Sequence, residues 1–347
     1  MQDNLGPIIA DLAGTTLTKE DKEFLKHPNL GGIILFARNY QNPEQVKALI
    51  QDIRRVRPNC FITVDQEGGT VQRFVKGLTT LPNMNCLGLL LKQQKCPLSE
   101  VRALAQQLGQ LMAMEMISLG VDMSFAPVLD LGTGLNPIVQ KRAIDADPKI
   151  VSDLGESFIA GMHLSGMKAC GKHFPGHGNV LLDSHLALPE DNRTLAEMQE
   201  DLYPFQQLIQ KGLDSLMTAH IRFPKVDVLP ATFSALWLKK ILREEWGFNG
   251  TIISDDLCMT ATHEVGDTVE CAHLAIEAGC DYLLICNHRD KAIDALESLK
   301  GPFDALSLKR RQALLANKTL PDWPDLKATE GWRLAQNALM QINTLLP

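Results

Sequence analysis

Residues 11–21 read DLAGTTLTKED and follow a short apolar run, PIIA, at residues 7–10. An open doubly wound sheet with a dinucleotide site needs G-x-G-x-x-G here, directly after its first strand. Gly14 is the one glycine in the segment, so this rival to a closed barrel lacks its signature. Outward from this point, short apolar runs closed by a polar residue recur along the chain. They are PIIADL ending at Asp11, GGIILFAR at Arg38, FITVDQE at Asp65 and MSFAPVLDL at Asp130. The second half adds MKACGKH at Lys172 and His173, SLMTAH at His220, GTIISDD at Asp255 and YLLICN at Asn287. Near-continuous apolar runs of this kind suit parallel strands buried on both faces.

Segments with helical spacing lie between these runs, at residues 43–56, 98–120, 148–166, 195–212, 235–247 and 268–279. Most end on Gly, which a helix C-terminus favours because it takes up a left-handed backbone freely. Alternating β and α units predict a parallel sheet, and eight of them predict closure into a barrel. The expected fold is therefore α/β, a (β/α)8 TIM barrel forming a single domain over residues 1–347, with a C-terminal helical extension from about residue 290. In such a barrel the strand C-terminal ends converge on the face that carries the chemistry. The eight polar strand ends are expected to ring one pocket, with residues 68–97 as a long excursion above it.

A chain of 347 residues with 45% apolar and 22% charged side chains has ample material for one large core. Net charge is −7 and no long basic run occurs, which argues against nucleic acid or an anionic membrane as partner. The start, MQDNLGPIIADLAG, has neither a basic n-region nor a long apolar h-region. No apolar run approaches the roughly 18 residues that span a bilayer. The eight cysteines form no CxxC pair. Cys170 and Cys286 sit in apolar runs and read as buried free thiols of a reducing compartment. The expected location is the cytoplasm, and the expected assembly a monomer or weak dimer.

Candidate chemistry concentrates in Gly171–His185, GKHFPGHGNVLLDSH. His173 and His177 are four apart, but Pro175 and Gly176 between them prevent a shared helix face of the HExxH kind. The HxH after strand one, used by many metal-dependent barrel hydrolases, is also absent, so no metal is expected. A phosphate cradle would need G-x-x-x-x-G-K-[ST], which is missing. A plain solvated loop is the bland reading. The alternative is acid–base work by Asp183 and His185, since an Asp two residues before a His can fix its tautomer and raise the basicity of the other nitrogen.

Two further motifs stand beside it. In SDD, Ser254–Asp256, a carboxylate at a strand end is placed to act as nucleophile, while Asp is also a common cap for a following helix. One of the adjacent aspartates can cap while the other does chemistry. In VDQEGGTVQRF, Val64–Phe74, Gly68 and Gly69 permit a tight turn that brings Arg73 back toward Asp65. That pair suits bidentate gripping of sugar hydroxyls, or equally a structural salt bridge.

Taken together, KHFPGHG followed by DSH, VDQEGG-x-VQR, GFNGTIISDDL and AGCDYLLICN resemble the family 3 glycoside hydrolases. The similarity runs from about residue 6 to residue 290 and is greatest to the single-domain bacterial β-N-acetylglucosaminidases of peptidoglycan recycling. The resemblance implies a barrel that removes terminal β-linked N-acetylglucosamine from anhydro-muropeptides with retention of configuration, using no cofactor. It implies Asp255 as nucleophile, His185 as acid/base and Asp183 as its partner. Asp65, Arg73, Lys172, His173 and Arg142 match positions that hold the sugar. Two departures stand out: the family commonly reads Gly-Glu-Arg-Ser-Tyr where this chain has Gln140-Lys141-Arg142-Ala143-Ile144, and Ser where it has Cys258. Phosphorolysis by the same residues, and a sugar-binding protein without catalysis, are the alternative functions.

Overall fold

Each of the eight apolar runs contributes a strand in the computed structural model, which describes residues 5–181, 187–301, 303–316 and 320–346. The strands are β1 (Ile8–Asp11), β2 (Leu30–Leu35), β3 (Phe61–Val64) and β4 (Met123–Ser124), followed by β5 (Cys170–Phe174), β6 (Ser215–Thr218), β7 (Thr251–Asp256) and β8 (Tyr282–Ile285). All pair in parallel, in the order β4-β3-β2-β1-β8-β7-β6-β5. β4 is regular over only two residues. Beyond it Pro127 has no N–H to donate, and the chain turns to its other neighbour. Cys170 N donates to Ala126 O at 2.8 Å, Lys172 N to Pro127 O at 3.2 Å, and Leu129 N to Lys172 O at 2.6 Å. With the Val128–Lys172 bridge, these bonds join the two ends of the sheet into a (β/α)8 barrel.

Both faces of the strands are buried, by alternation. Along β1, Ile9 packs with Ile34, Phe61, Met217, Ile253 and Tyr282, whereas Ile8 and Ala10 pack with the helices outside. Phe61 and Tyr282 stack with ring centres 5.4 Å apart. Their strands are separated by β2 and β1 in the sheet, so they meet across the barrel interior. Cys170 and Cys286 belong to this inner cluster, and all eight cysteines are free.

The helices fall where the spacing predicts them, at Pro43–Val56, Leu98–Leu119, Pro148–Ser165, Gln199–Gln210, Leu236–Glu245 and Thr268–Ala278. Asn42 and Asp147 cap two of them just before a proline, and Gly120 and Gly166 end two with φ of 96° and 90°. After β8 come Arg289–Ser298, Ala305–Gln312, Trp323–Leu326 and Glu330–Leu345, and the last of these packs on Leu98–Leu119. Glu115 ties this helix to the excursion beyond β3. It accepts from Thr79 N at 3.1 Å, Thr79 Oγ1 at 2.5 Å and Trp332 Nε1 at 3.2 Å, and Gln336 Nε2 donates to Thr79 Oγ1. Among the described residues no helix is long and apolar enough to cross a membrane.

The face at the strand N-termini is fastened by three aspartates of one pattern. Asp122, Asp214 and Asp281 stand just before β4, β6 and β8, and each accepts a backbone N–H from the strand segment before its own: Ile62, Ala169 and Ile252, at 2.8, 3.0 and 2.9 Å. Each also holds a basic side chain: Arg54 at 2.9 Å, Lys168 at 2.9 Å and Arg243 at 2.8 Å. A buried carboxylate needs such partners, and a buried cation left without its carboxylate is strongly destabilising. Asp281→Ala strands Arg243 and is expected to lower unfolding free energy by about 3–5 kcal/mol. Urea denaturation checks this, and kcat of the folded fraction is expected to stay unchanged.

Candidate active site

At the C-terminal ends of the strands lies a cavity of about 440 Å³, whose lining includes Asp65, Arg73, Arg142, Lys172, His173, Asp255 and Asn287. A larger groove of about 560 Å³ runs along the barrel flank between Lys19–Leu25 and Arg289–Ser298 and contains no strand-end residue. The chemistry therefore belongs to the first.

The extended chain leaving β3 builds one wall. Successive side chains point to opposite sides, so Asp65 and Glu67 both enter the cavity while Gln66 faces away. From behind, Gln66 Oε1 accepts from Arg73 N at 3.1 Å and Phe74 N at 3.0 Å, and its Nε2 donates to Phe74 O at 2.8 Å. This braces the chain that follows the return strand Val71–Gln72 and carries Arg73. The turn needs its glycines: Gly68 and Gly69 have φ of 110° and 56°, and a Cβ on Gly69 would lie 2.0 Å from Asn83 Oδ1.

β5 supplies Lys172 and His173. Neighbours on a regular strand face opposite ways, but the register shifts between Lys172 and Phe174, and both residues line the cavity. Arg142 comes from the last turn of a short helix, Pro137–Arg142, which Asn136 caps by accepting from Ile138 N and Val139 N. The Asn136 amide also donates to Val180 O at 3.1 Å and lies 3.4 Å from His177 Nδ1. His177 is buried, and its N–H donates to Asp130 at 2.8 Å. It braces the start of the loop. Asp183 and His185 lie outside the described residues.

These side chains form one connected array. Arg142 grips Glu67 bidentately, Nε to Oε2 and Nη2 to Oε1, each at 2.8 Å. Lys172 Nζ lies 2.5 Å from Glu67 Oε1 and 3.0 Å from Asp65 Oδ1. Arg73 Nη2 is 3.4 Å from Asp65 Oδ2. Arg142 Nη2 is also 3.3 Å from His173 Nε2, and His173 Nδ1 is 2.7 Å from Asp130 Oδ2. A carboxylate only accepts and a guanidinium only donates. His173 therefore carries its proton on Nδ1 and accepts at Nε2. Both its nitrogens are engaged by protein groups, so His173 acts on the cavity through Arg142.

Charges are balanced inside this array. Burial alone would raise the Glu67 pKa, but Lys172 and Arg142 outweigh it and hold the carboxyl well below the usual range. Burial would lower the Lys172 and Arg142 pKa values, yet Asp65 and Glu67 raise the first and Glu67 raises the second. Asp130 is buried too, and His173 and His177 keep its carboxyl below its ordinary value despite desolvation.

The two aspartates of SDD separate in role. Asp255 opens on the cavity, and its Oδ1 accepts from Asp256 N at 2.8 Å. Asp256 is the latch: its Oδ1 accepts from Cys258 N and Cys286 N, both at 3.0 Å, binding the end of β7 to that of β8. Of the eight polar strand ends, Asp11, Arg38, Asp130 and His220 do not line the cavity. Asp11 is paired with Arg38 and accepts from Asn287 N at 2.9 Å. Asp130 and His220 are buried behind the wall, the latter donating from Nε2 to Asp256 O at 3.0 Å. The expected ring is thus half lining and half support. Glu67 was not singled out from sequence, although it stands two residues from Asp65 in the same motif. Among the described residues no group of three or more His, Cys, Asp or Glu is placed to hold a metal ion.

Desolvation, opposed by the N–H groups of Cys258 and Cys286 and helped by Asp255, pushes the Asp256 pKa from 3.8 up to about 7. A carboxyl raised on folding binds its proton more tightly in the native state. It therefore costs stability as pH rises from about 4 to about 7, and the cost persists above that window. Asp256→Asn keeps an acceptor for both N–H groups and cannot ionise. Melting curves are expected to show a larger gain in Tm for this variant at pH 8 than at pH 5.

Residues 7–313 match the model for the glycosyl hydrolase family 3 N terminal domain. A beta-hexosaminidase of Thioalkalivibrio sulfidiphilus is 42% identical over 96% of this chain and 95% of its own length. One of Bordetella avium is 44% identical over 97% and 96%. Among solved structures, NagZ of Neisseria gonorrhoeae in complex with N-trifluoroacetyl-D-glucosamine superposes with a TM-score of 0.90 at 41% identity, covering 97% of this chain and 98% of that one.

Proposed function

The chain belongs to glycosyl hydrolase family 3, and from that premise we propose that it is a retaining exo-β-N-acetylglucosaminidase acting on anhydro-muropeptides in the cytoplasm. The observation that carries this reading is the placement of Asp255 in one cavity with Asp65, Arg73, Arg142 and Lys172. A carboxylate at the end of β7 thereby faces donors suited to sugar hydroxyls. The ligand named for the gonococcal NagZ structure, an N-acylated glucosamine analogue, supports the choice of sugar.

In this reading the sugar lies with its hydroxyls on Asp65, Arg73, Lys172 and Arg142, while His173 orients Arg142. Asp255 attacks the anomeric carbon as the glycosidic bond breaks, giving a covalent glycosyl-enzyme through an oxocarbenium-like transition state. His185, oriented by Asp183, protonates the leaving oxygen. It then takes a proton from the water that releases N-acetylglucosamine. No step calls for a metal.

A chromogenic N-acetyl-β-glucosaminide is expected to be hydrolysed at the same rate with and without EDTA. Asp255→Ala is expected to fall to the background rate. His185→Ala is expected to lose about 10²–10⁴ in kcat, the usual contribution of general acid–base catalysis, with sugar affinity kept. Full activity in Asp255→Ala would overturn the assignment of the nucleophile. Mass spectrometry of products from synthetic N-acetylglucosaminyl-anhydromuramic acid tests the substrate directly.

A further inference from the structure

We propose that Glu67 is a positioning residue of this site, setting the aim of Arg142 and Lys172 toward the sugar. The proposal rests on the function proposed for the same cavity. Glu67 follows β3 in the hairpin arm Gln66–Gly68 and is 3% exposed. Among the described residues its carboxylate bonds only to Arg142 and Lys172, both of which line the cavity.

That pattern differs from carboxylates that hold the scaffold. Asp122, Asp214 and Asp281 each take a backbone N–H from an adjoining strand together with their basic partner. Asp130 takes the N–H groups of His173 and His177, and Asp256 those of Cys258 and Cys286. Glu67 fixes no backbone. It fixes two cationic side chains relative to each other.

The geometry leaves a definite set of donors for a ligand. Arg142 has five N–H groups. Glu67 takes Nε–H and one on Nη2, and His173 accepts the other on Nη2. Among the described residues Nη1 has no partner, so its two N–H groups remain for hydroxyl oxygens. Lys172 has three N–H groups, of which Asp65 and Glu67 engage two. Without the Glu67 charge, Asp65 is the nearest carboxylate left to both Lys172 and Arg73, and Arg142 keeps only His173. Asp65 then has less acceptor capacity to offer a hydroxyl, and Arg142 loses the fork that holds its plane.

Glu67→Gln keeps size and removes the charge, placing an amide N–H₂ against groups that only donate. With the chromogenic N-acetyl-β-glucosaminide, KM is expected to rise about tenfold or more while kcat changes less than about threefold, the signature of lost ground-state positioning. Affinity for N-acetylglucosamine, read by calorimetry, is expected to fall by the same factor. Wild-type KM and affinity in Glu67→Gln overturn the proposal, and so does a loss confined to kcat. If circular dichroism shows that Glu67→Gln does not fold, Glu67→Asp carries the test. It keeps the charge but draws it back by one methylene, and unchanged sugar affinity in that variant overturns the proposal equally. Wild-type protein that binds N-acetylglucosamine but cleaves no glycoside overturns the proposed reaction, while the calorimetric comparison still decides the role of Glu67. Wild-type protein that does neither overturns both.

Discussion

The barrel closes at Lys172. Its backbone N–H and C=O bond to Pro127 and Leu129 across the one seam where regular strand pairing fails. Its side chain meanwhile joins Asp65 and Glu67 on the cavity floor. An amine buried this deeply is tolerable only with carboxylates around it. Closure of the sheet and assembly of the charged array are therefore one requirement. Moving the seam would move the cation, and an uncompensated cation would not stay at the seam.

Two sets of buried carboxylates in the barrel solve the same electrostatic problem differently. At the strand N-termini each buried aspartate spends one oxygen on a neighbouring backbone and binds the strands in register. At the C-termini, the carboxylates Asp65 and Glu67 bind side chains, and their cations keep donors unspent. A carboxylate saturated by the scaffold stabilises the fold but has little to offer a ligand. One shared among side chains at a cavity wall serves recognition.

Much of this was legible in the chain. The lack of a glycine-rich turn after β1, and eight apolar runs alternating with helical ones, sufficed for the barrel. Strand ends pointed to Asp65, Lys172, His173 and Asp255, because in a barrel the strand C-terminal ends converge on one face. The rest depended on contacts distant in sequence. Glu67 sits in a glycine-rich turn, where a lone Glu reads as solvated. Its buried carboxylate is met by partners far along the chain, Arg142, 75 residues on, and Lys172. Asp130 and His220 read as members of the ring, but they lie beyond the strand ends at Ser124 and Thr218 and turn onto backbone groups behind the wall, those of His173, His177 and Asp256. For the doublet Asp255-Asp256, the residues alone leave open which aspartate caps and which reacts, and only the family resemblance favours Asp255. The division follows from two backbone N–H groups converging on the second aspartate.

The excursion beyond β3 has a consequence for the order of assembly. Strand pairing around most of the barrel joins elements that follow one another in the chain. The lock on the excursion instead joins Thr79 to Gln336 and Glu115 to Trp332, spanning 257 and 217 residues. Closing so long a loop costs more entropy than pairing neighbouring strands. The arm that carries Arg73 thus gains its final support from a contact that topology places late. A nascent barrel can pair β1 through β4, and β5 through β8, while the wall of its cavity is still unfastened, since β1 meets β8 only across a span as long as that of the lock.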